Sequence, residues 1–207
     1  SDESTLLNSG HAGSSYRFMA ARACLGAKEI VLDGSAQLRK RQIGPLVKAL
    51  RQLGAEIDYL NKEGFPPIRI SPAKNFGETT NEIHLQSGIS SQYVTSLLLV
   101  APLLKNGLIL HLVDDPVSVP YIGMTLELMK YFGVDHEWKN NTITVGHGKY
   151  LPREFKVEGD WSAASYYFSL TALAPKAEIA IKGVFQNSLQ GDSRVADLYT
   201  ALGVETQ

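Results

Sequence analysis

The sequence predicts an α/β fold made of repeated β-α-β-α-β-β units. Short β-branched runs alternate with helical patterns along the chain, which is typical of the α/β class. One supersecondary pattern also occurs three times. The composition agrees, because 44% hydrophobic and 20% charged residues in a chain of 207 are typical of proteins that bury a sizeable core. One large domain or two small ones are therefore expected.

The three copies are aligned by a glycine that follows an amphipathic segment in each of them, at Gly54, Gly133 and Gly203. Spacings of 79 and 70 residues are longer than those of solenoid repeats, so each copy is expected to be a whole supersecondary unit. We place a boundary after residue 156. Residues 1–156 then hold two units, and residues 157–207 begin a third.

Each copy is expected to open with a turn rich in Ser and Gly, followed by a helix of small residues, because Ser and Gly suit a helix start. These helices are predicted over 14–25, 89–104 and 162–173. A β-branched strand is predicted after each of them, over 28–33, 107–112 and 177–182.

A second, amphipathic helix follows each of these strands. In the first copy its apolar residues have the spacing i, i+3, i+4, i+7, i+10: Ile43, Leu46, Val47, Leu50 and Leu53. The marker glycine is expected to end the helix, and another strand begins directly after it. Further short strands are predicted over 67–71, 80–85 and 141–146.

Charge and hydropathy exclude several classes of function. Lys and Arg number 20 against 21 Asp and Glu, and this balance argues against non-specific binding of nucleic acid. The longest apolar run, 94–104, is too short to span a bilayer. Cys24 is the single cysteine, so no internal disulfide is possible and a reducing, cytoplasmic compartment is expected.

The loop over 35–44 carries three consecutive cations, Arg39, Lys40 and Arg41, between a predicted strand and a predicted helix. One interpretation is a solvated loop, because surface charges are common. The other is an anion site, because Arg can hold a carboxylate or phosphate with two hydrogen bonds and a helix start favours negative charge.

Two helix starts carry further candidates. Ser90, Ser91 and Gln92 open the second long helix, where hydroxyls and free N–H groups can hold a phosphate or serve as ordinary N-caps. In the equivalent turn of the first copy, Gly13 would let a ligand approach the backbone. Arg17, one turn further on, is either an anion ligand or the partner of a carboxylate.

The segment 114–121 is the second copy's counterpart of the cationic loop. Its two prolines stiffen it, which would preorganise Ser118 and Tyr121. Asp114 and Asp115 have no further ligand at a suitable spacing, so neither a metal nor a cofactor is predicted. His84 and His111 fall in strand patterns and are expected to be core or surface residues.

Seven short motifs carry a resemblance to a known family, in this order along the chain: Ala12-Gly13-Ser14, Leu32-Asp33-Gly34, Arg41-x-Ile43-Gly44, Ser90-Ser91-Gln92-Tyr93, Ser118-x-Pro120-Tyr121-Ile122, Val157-Glu158-Gly159-Asp160 and Gln190-Gly191-Asp192. Together they resemble the 5-enolpyruvylshikimate-3-phosphate synthases, the shikimate-pathway family that glyphosate inhibits. The resemblance implies the enolpyruvyl transferase fold. That fold has two inverse α/β barrel-like domains of three β-α-β-α-β-β units each, with the active site in the cleft. It also implies that residues 157–207 belong to the second domain.

The resemblance implies transfer of the enolpyruvyl group of phosphoenolpyruvate to the 5-hydroxyl of shikimate 3-phosphate, with release of phosphate. Five residues resemble the shikimate 3-phosphate ligands: Ser90, Ser91, Gln92, Ser118 and Tyr121. Gly13, Arg41 and Gln92 resemble the phosphoenolpyruvate ligands, and Arg17 resembles a supporting cation. The family's proton-transfer residues have no counterpart here. The chain is therefore expected to be an internal fragment that needs the rest of the enzyme for activity.

Two alternatives stay open. The UDP-N-acetylglucosamine enolpyruvyl transferases share the fold, but they use a cysteine in the loop that corresponds to 35–41, and this loop has none. A non-catalytic repeat protein that binds anions is the other. The chain also departs from the family pattern at His11, Phe18 and Gln42, where Asn or Asp, Pro, and Pro are usual.

Overall fold

A computed structural model describes residues 5–86, 88 and 90–206. The chain divides into two compact units, Ser1–Leu151 and Pro152–Gln207. This division falls a few residues before the boundary expected after residue 156. The assignment of residues 157–207 to a second family domain stays a prediction.

The first repeat of unit 1 forms a four-stranded sheet with the strand order β1-β2-β4-β3. Strands β1 and β2 are parallel, and the other neighbours are antiparallel. The strands are β1 (Thr5–Asn8), β2 (Ile30–Asp33), β3 (Glu56–Tyr59) and β4 (Ile68–Ser71). The helices are α1 (Gly13–Ala23), between β1 and β2, and α2 (Gly44–Gln52), between β2 and β3.

The second repeat forms another four-stranded sheet, with the order β5-β6-β8-β7. Its pairing directions repeat those of the first sheet, which confirms the predicted repetition of one unit. The strands are β5 (Glu82–Leu85), β6 (Leu108–Leu112), β7 (His136–Lys139) and β8 (Thr142–Val145). The helices are α3 (Ser91–Val100) and α4 (Val119–Tyr131).

The core of unit 1 lies where the apolar faces of sheets and helices meet. Along β6, Leu108, Leu110 and Leu112 are buried while the residues between them point away from the core. The apolar stripe 43–53 predicted for α2 is also buried. Each buried aliphatic side chain of this kind stabilises the fold by roughly 1.5–3 kcal/mol. Helices α1 and α3 pack against each other, and the fully buried Ala20 and Ala21 of α1 permit a close approach.

The three marker glycines end their helices as predicted. Gly54, Gly133 and Gly203 have φ values of +93°, +83° and +82°. After each one, the next N–H returns to a carbonyl five residues earlier, as between Val134 and Met129 at 2.9 Å. This is a Schellman C-cap, in which a left-handed residue lets the chain satisfy the last helical carbonyls. The cap also turns the chain directly into β3 and β7 in unit 1.

Unit 2 contains α5 (Trp161–Leu173) and α6 (Val195–Thr200). Trp161, Ala164, Phe168 and Val204 form its small core. The predicted strand over 177–182 is wrong. Strands β2 and β6 each lie between two hydrogen-bonded neighbours, but no strand of the described residues pairs with 177–182, most of which is exposed. An extended segment cannot satisfy its backbone groups as a strand without such a neighbour.

Most of the remaining boundaries differ from the predicted ones by one to a few residues. The helix predicted over 89–104 begins at Ser91 and becomes a 3₁₀ turn at Ala101–Leu103; Ile89 lies outside the described residues. The residues of β1 are mostly exposed, so this strand has little of the alternation by which a sequence indicates a strand. In the part of the chain that the structure describes, no helix is long and apolar enough to span a membrane.

Candidate functional site

A cleft of about 660 Å³ in unit 1 is lined by residues of α1, α3 and α4 and of the segments that precede α3 and α4. This volume lies in the range of small-molecule sites. Six of the eight predicted ligands line it: Arg17, Ser90, Ser91, Gln92, Ser118 and Tyr121. Apolar side chains, among them Leu99 and Leu128, form the rest of the wall. The structure thus gathers residues that lie up to 104 positions apart in the sequence.

Gln92 joins the starts of α1 and α3. Its Nε2 donates to Ser14 Oγ at 2.8 Å, and its Oε1 accepts a short hydrogen bond from Arg17 Nη1. The Arg17 guanidinium also lies 5.2 Å from the centroid of the Tyr93 ring, a cation–π contact. No carboxylate among the described residues pairs with Arg17. Of the two interpretations of Arg17, partnership with a carboxylate is therefore wrong for this part of the chain.

The start of α1 is open. Its N-cap residue, Ala12, makes no side-chain capping hydrogen bond, so N–H groups of the first turn lack a side-chain acceptor. At the start of α3, Ser90 Oγ accepts from Gln92 N–H at 3.3 Å, so Ser90 is an N-cap. Capping leaves the Ser90 hydroxyl proton free to donate, and therefore the N-cap and ligand interpretations are compatible.

The start of α5 differs in charge from the other two. Asp160 Oδ1 accepts from Ser162 N–H at 2.8 Å, and Ser162 Oγ makes a short hydrogen bond to the Asp192 carboxylate. Two carboxylates at a helix start stabilise it but repel an anion. The predicted anion sites at the starts of α1 and α3 are therefore features of those sequences and not of the repeat itself.

The three cations of the 35–44 loop differ in their partners. Arg39 makes a bidentate ion pair with Asp33, with Nε–Oδ1 at 2.9 Å and Nη2–Oδ2 at 2.5 Å. This hydrogen bonding holds the pKa of the Asp33 carboxyl below its usual range. No ion pair forms for Lys40 or Arg41 within the described residues. The charge of Arg39 is thus compensated, and that of Arg41 is not.

Arg41 and Arg17 converge on the backbone of Gly13. A Cβ placed on Gly13 would lie 2.7 Å from Arg41 Nη1 and 3.5 Å from Arg17 Nη1. A side chain at this position would displace the end of Arg41, so glycine is needed to leave the Arg41 guanidinium where it is. Two like charges beside an open helix start create a local positive potential, which an anion bound between them would offset. Arg41 is not part of the cleft lining itself.

Ser118 and Tyr121 are held by an unusual backbone. Ser118 precedes α4 with φ 55° and ψ 44°, a left-handed conformation that is uncommon for a residue other than glycine. Tyr121 N–H donates to the Ser118 carbonyl at 2.9 Å. The segment therefore presents both side chains to the cleft in a fixed arrangement, as its prolines suggest, although their role as ligands stays a prediction.

The family model for EPSP synthase (3-phosphoshikimate 1-carboxyvinyltransferase) matches residues 1–207. The chain belongs to the EPSP synthase family. Among curated relatives, the 3-phosphoshikimate 1-carboxyvinyltransferase of Bacteroides fragilis is 44% identical over 95% of this chain and 47% of its own length. The enzyme of the same name from Vibrio vulnificus is 40% identical over 96% and 46%. The chain thus spans about half the length of the curated relatives it matches.

A solved structure supports the same fold for this EPSP synthase family member. The EPSP synthase of Acinetobacter baumannii superposes with a TM-score of 0.72 at 23% identity, over 88% of this chain and 40% of that one. The likeness confirms the predicted enolpyruvyl transferase fold. It also agrees with the repetition of one topology in the two sheets of unit 1.

The three departures from the EPSP synthase pattern lie at or near the predicted ligands. His11 Nδ1 is 2.9 Å from Ser35 Oγ, Phe18 lines the cleft, and the Gln42 carbonyl accepts from Tyr93 Oη at 2.7 Å. Tyr93 therefore ties the cationic loop to α3 from beneath Arg17. Sequence reasoning missed Ser14 and Tyr93 as supporting residues. Each directly follows a predicted ligand, Gly13 or Gln92, in one of the seven family motifs. That position is the feature of the sequence that could have indicated them.

Proposed function

We propose that the protein to which this chain belongs transfers the enolpyruvyl group of phosphoenolpyruvate to the 5-hydroxyl of shikimate 3-phosphate and releases phosphate. Family membership supports the reaction. One structural observation carries it: Arg17 and Arg41, neither paired with a described carboxylate, converge on the open start of α1 beside the cleft. Two polyanionic substrates that must meet need this kind of compensation, because their own charges repel.

In this proposal the cleft binds shikimate 3-phosphate. Ser90, Ser91 and Gln92 supply hydroxyl, amide and backbone donors at the start of α3, and Ser118 and Tyr121 supply hydroxyls from the start of α4. A phosphate at the start of α3 would gain from the N–H groups and the helix dipole. The apolar wall would contact the carbon ring. This arrangement favours a small ligand with one anionic end.

Phosphoenolpyruvate is assigned to the neighbouring space at Gly13. Arg41 supplies the principal cation, Gln92 a hydrogen bond and Arg17 a supporting charge. The Gln92 amide contacts both Ser14 and Arg17. It would therefore fix the start of α1, where phosphoenolpyruvate is assigned, relative to the start of α3, where shikimate 3-phosphate is assigned. No residue of this chain is assigned to proton transfer. The chain alone is therefore expected to bind shikimate 3-phosphate weakly and to catalyse no turnover. A cytoplasmic location belongs to the proposal and is consistent with the buried, free thiol of Cys24.

Phosphate release tests the proposal directly. The complete protein is incubated with shikimate 3-phosphate and phosphoenolpyruvate, and in parallel with UDP-N-acetylglucosamine and phosphoenolpyruvate. We expect phosphate only in the first reaction and none from the 207-residue chain. Phosphate from the second reaction alone would favour the UDP-N-acetylglucosamine enzymes. Binding of shikimate 3-phosphate without turnover by the complete protein would favour a non-catalytic anion-binding protein.

A further inference from the structure

The second sheet of unit 1 places three potential metal ligands on its exposed face. Glu82 and His84 lie two residues apart on β5, so they point to the same side of the sheet. His84 lies opposite His111 of the parallel neighbour β6. The alternate residues Ile83 and Leu85 are buried on the other side. The strand register therefore brings together two imidazoles and a carboxylate.

The ligand atoms of this group lie within 4.8 Å of one another. Glu82 Oε1 is 2.8 Å from His111 Nε2 and 3.9 Å from His84 Nε2. Ligand atoms around a tetrahedral Zn²⁺ with bonds near 2.1 Å are separated by roughly 3.4 Å. Rotation of the exposed Glu82 and His84 side chains about the half-buried His111 would bring all three atoms to such a geometry. The two imidazoles are stacked, with centroids 4.6 Å apart and an 18° angle between their planes. Because an imidazole binds a metal in the plane of its ring, ligation would tilt the His84 ring out of this stack.

His111 has a second partner that fixes its ring. Its Nδ1 lies 3.0 Å from Thr142 Oγ1, on β8, which pairs with β6 on the other side. A hydrogen bond from Nδ1–H to a neighbouring oxygen is the usual support of a metal-bound histidine, because it selects the tautomer whose Nε2 is free to ligate. Three strands thus contribute to the group, and the rigid sheet sets its geometry.

We propose that Glu82, His84 and His111 form a surface site for a first-row transition-metal dication such as Zn²⁺. Two imidazoles and one carboxylate suit Zn²⁺, Cu²⁺ or Ni²⁺, whereas Mg²⁺ and Ca²⁺ prefer sets of oxygen ligands. The exposed side of the group leaves a fourth position for water. None of the three residues lines the cleft, so the metal site is separate from the predicted substrate ligands. The sequence pattern gave no sign of it, because the two histidines come from different strands 27 residues apart.

Calorimetric titration of the untagged 207-residue chain with ZnCl₂ tests the site. We expect one Zn²⁺ per chain. His84→Asn, His111→Asn and Glu82→Gln should each weaken binding about tenfold or more, because each removes one of three ligands. His147→Asn is the matched control, since its ring contacts the Leu104 carbonyl and not the group. Equal losses in His147→Asn and the ligand variants would overturn the proposal, as would an absence of saturable binding to the parent.

A variant outside the three ligands tests whether the group binds a metal or is only a histidine–carboxylate ion pair. Thr142→Val removes the partner of His111 Nδ1 and leaves all three ligands in place. We expect about a tenfold loss of Zn²⁺ affinity with an unchanged far-UV circular dichroism spectrum. We also expect Co²⁺ bound by the parent to show visible absorption bands that His84→Asn and His111→Asn remove. An unchanged Zn²⁺ affinity in Thr142→Val, or Mg²⁺ binding as tightly as Zn²⁺, would contradict the assigned site.

Discussion

Arg39 and Arg41 lie two residues apart, and their surroundings give them different expected roles. Arg39 is bound to Asp33, whereas Arg41 stands over Gly13 without an ion pair among the described residues. In the complete protein, Arg41→Ala should raise the KM for phosphoenolpyruvate by about 10- to 150-fold, the equivalent of 1.5–3 kcal/mol for a lost charge-assisted contact. Lys40→Ala also removes one positive charge from this loop, and it should change the KM for phosphoenolpyruvate little. Steady-state kinetics of the Arg41→Ala and Lys40→Ala variants would make the comparison. Equal effects on KM would show that Arg41 is not the phosphoenolpyruvate ligand of the Arg41-x-Ile43-Gly44 motif.

Gly13 offers a more specific test of the same geometry. In Gly13→Ala the new Cβ would displace the far end of Arg41, a flexible side chain, and leave the backbone undisturbed. Alanine also favours a helix more than glycine does. We therefore expect weaker phosphoenolpyruvate binding with an unfolding temperature equal to or above that of the parent. Kinetics and thermal unfolding measured on the same preparation check this. A large fall in unfolding temperature would mean that the glycine is needed for folding and not for the ligand.

Asp33 makes the stability of unit 1 depend on pH. Its pKa lies below the usual range because Arg39 hydrogen-bonds to its carboxylate. A depressed carboxyl pKa contributes stability above the unfolded value of about 3.9, and this contribution is lost as the pH falls through the folded value. Asp33→Asn should therefore lower the unfolding temperature at pH 7. The difference from the parent should shrink as the pH falls below the unfolded value and disappear once the Asp33 carboxyl is protonated in the folded state. A difference that persists unchanged in acid would indicate that packing, and not charge, is responsible.

At the level of single elements, the same substitution, glycine to alanine, should have opposite effects inside α4 and at its C-terminal cap. Gly123 lies inside the helix with nothing within 4 Å of an added Cβ, so Gly123→Ala should increase the free energy of unfolding by about 0.5–1 kcal/mol. Gly133 has φ +83°, and its Cβ would lie 2.7 Å from Leu151. Gly133→Ala should therefore decrease the free energy of unfolding by about 1–2 kcal/mol or more. Denaturant unfolding of both variants gives the comparison, and a shared sign would contradict the C-cap assignment.

Elements whose signal is local could be predicted from the sequence, and those that depend on distant partners could not. The stripe 43–53 predicted α2, and the positive φ of Gly54 was expected from its position after that stripe. The segment 177–182 has the residues of a strand but no neighbouring strand in the described part of unit 2. Strand propensity reflects how a residue fits a paired surface, so it cannot report whether the pair exists.

The same distinction applies to the candidate site. Motif positions selected residues that do meet in one cleft. However, the Gln92 amide donates to Ser14, 78 positions away, and accepts from Arg17, 75 positions away. The metal group likewise depends on the register of β5 against β6. Spacing along one helix or strand carries no information about such contacts. They follow from the packing of whole elements, which the sequence specifies only collectively.

At the scale of the whole molecule, the division after Leu151 predicts that shikimate 3-phosphate binding belongs to unit 1 alone. Every residue that lines the cleft lies between Ser14 and Leu128, and the cores of the two units share no buried residue. A chain of residues 1–151 should therefore unfold cooperatively and bind shikimate 3-phosphate with the affinity of the 207-residue chain. Calorimetry on both chains measures this, with Gln92→Ala in each as the control that abolishes the site. A loss of about tenfold, or 1.4 kcal/mol, in the shorter chain would mean that unit 2 contributes to binding and that the ligand site is not confined to unit 1.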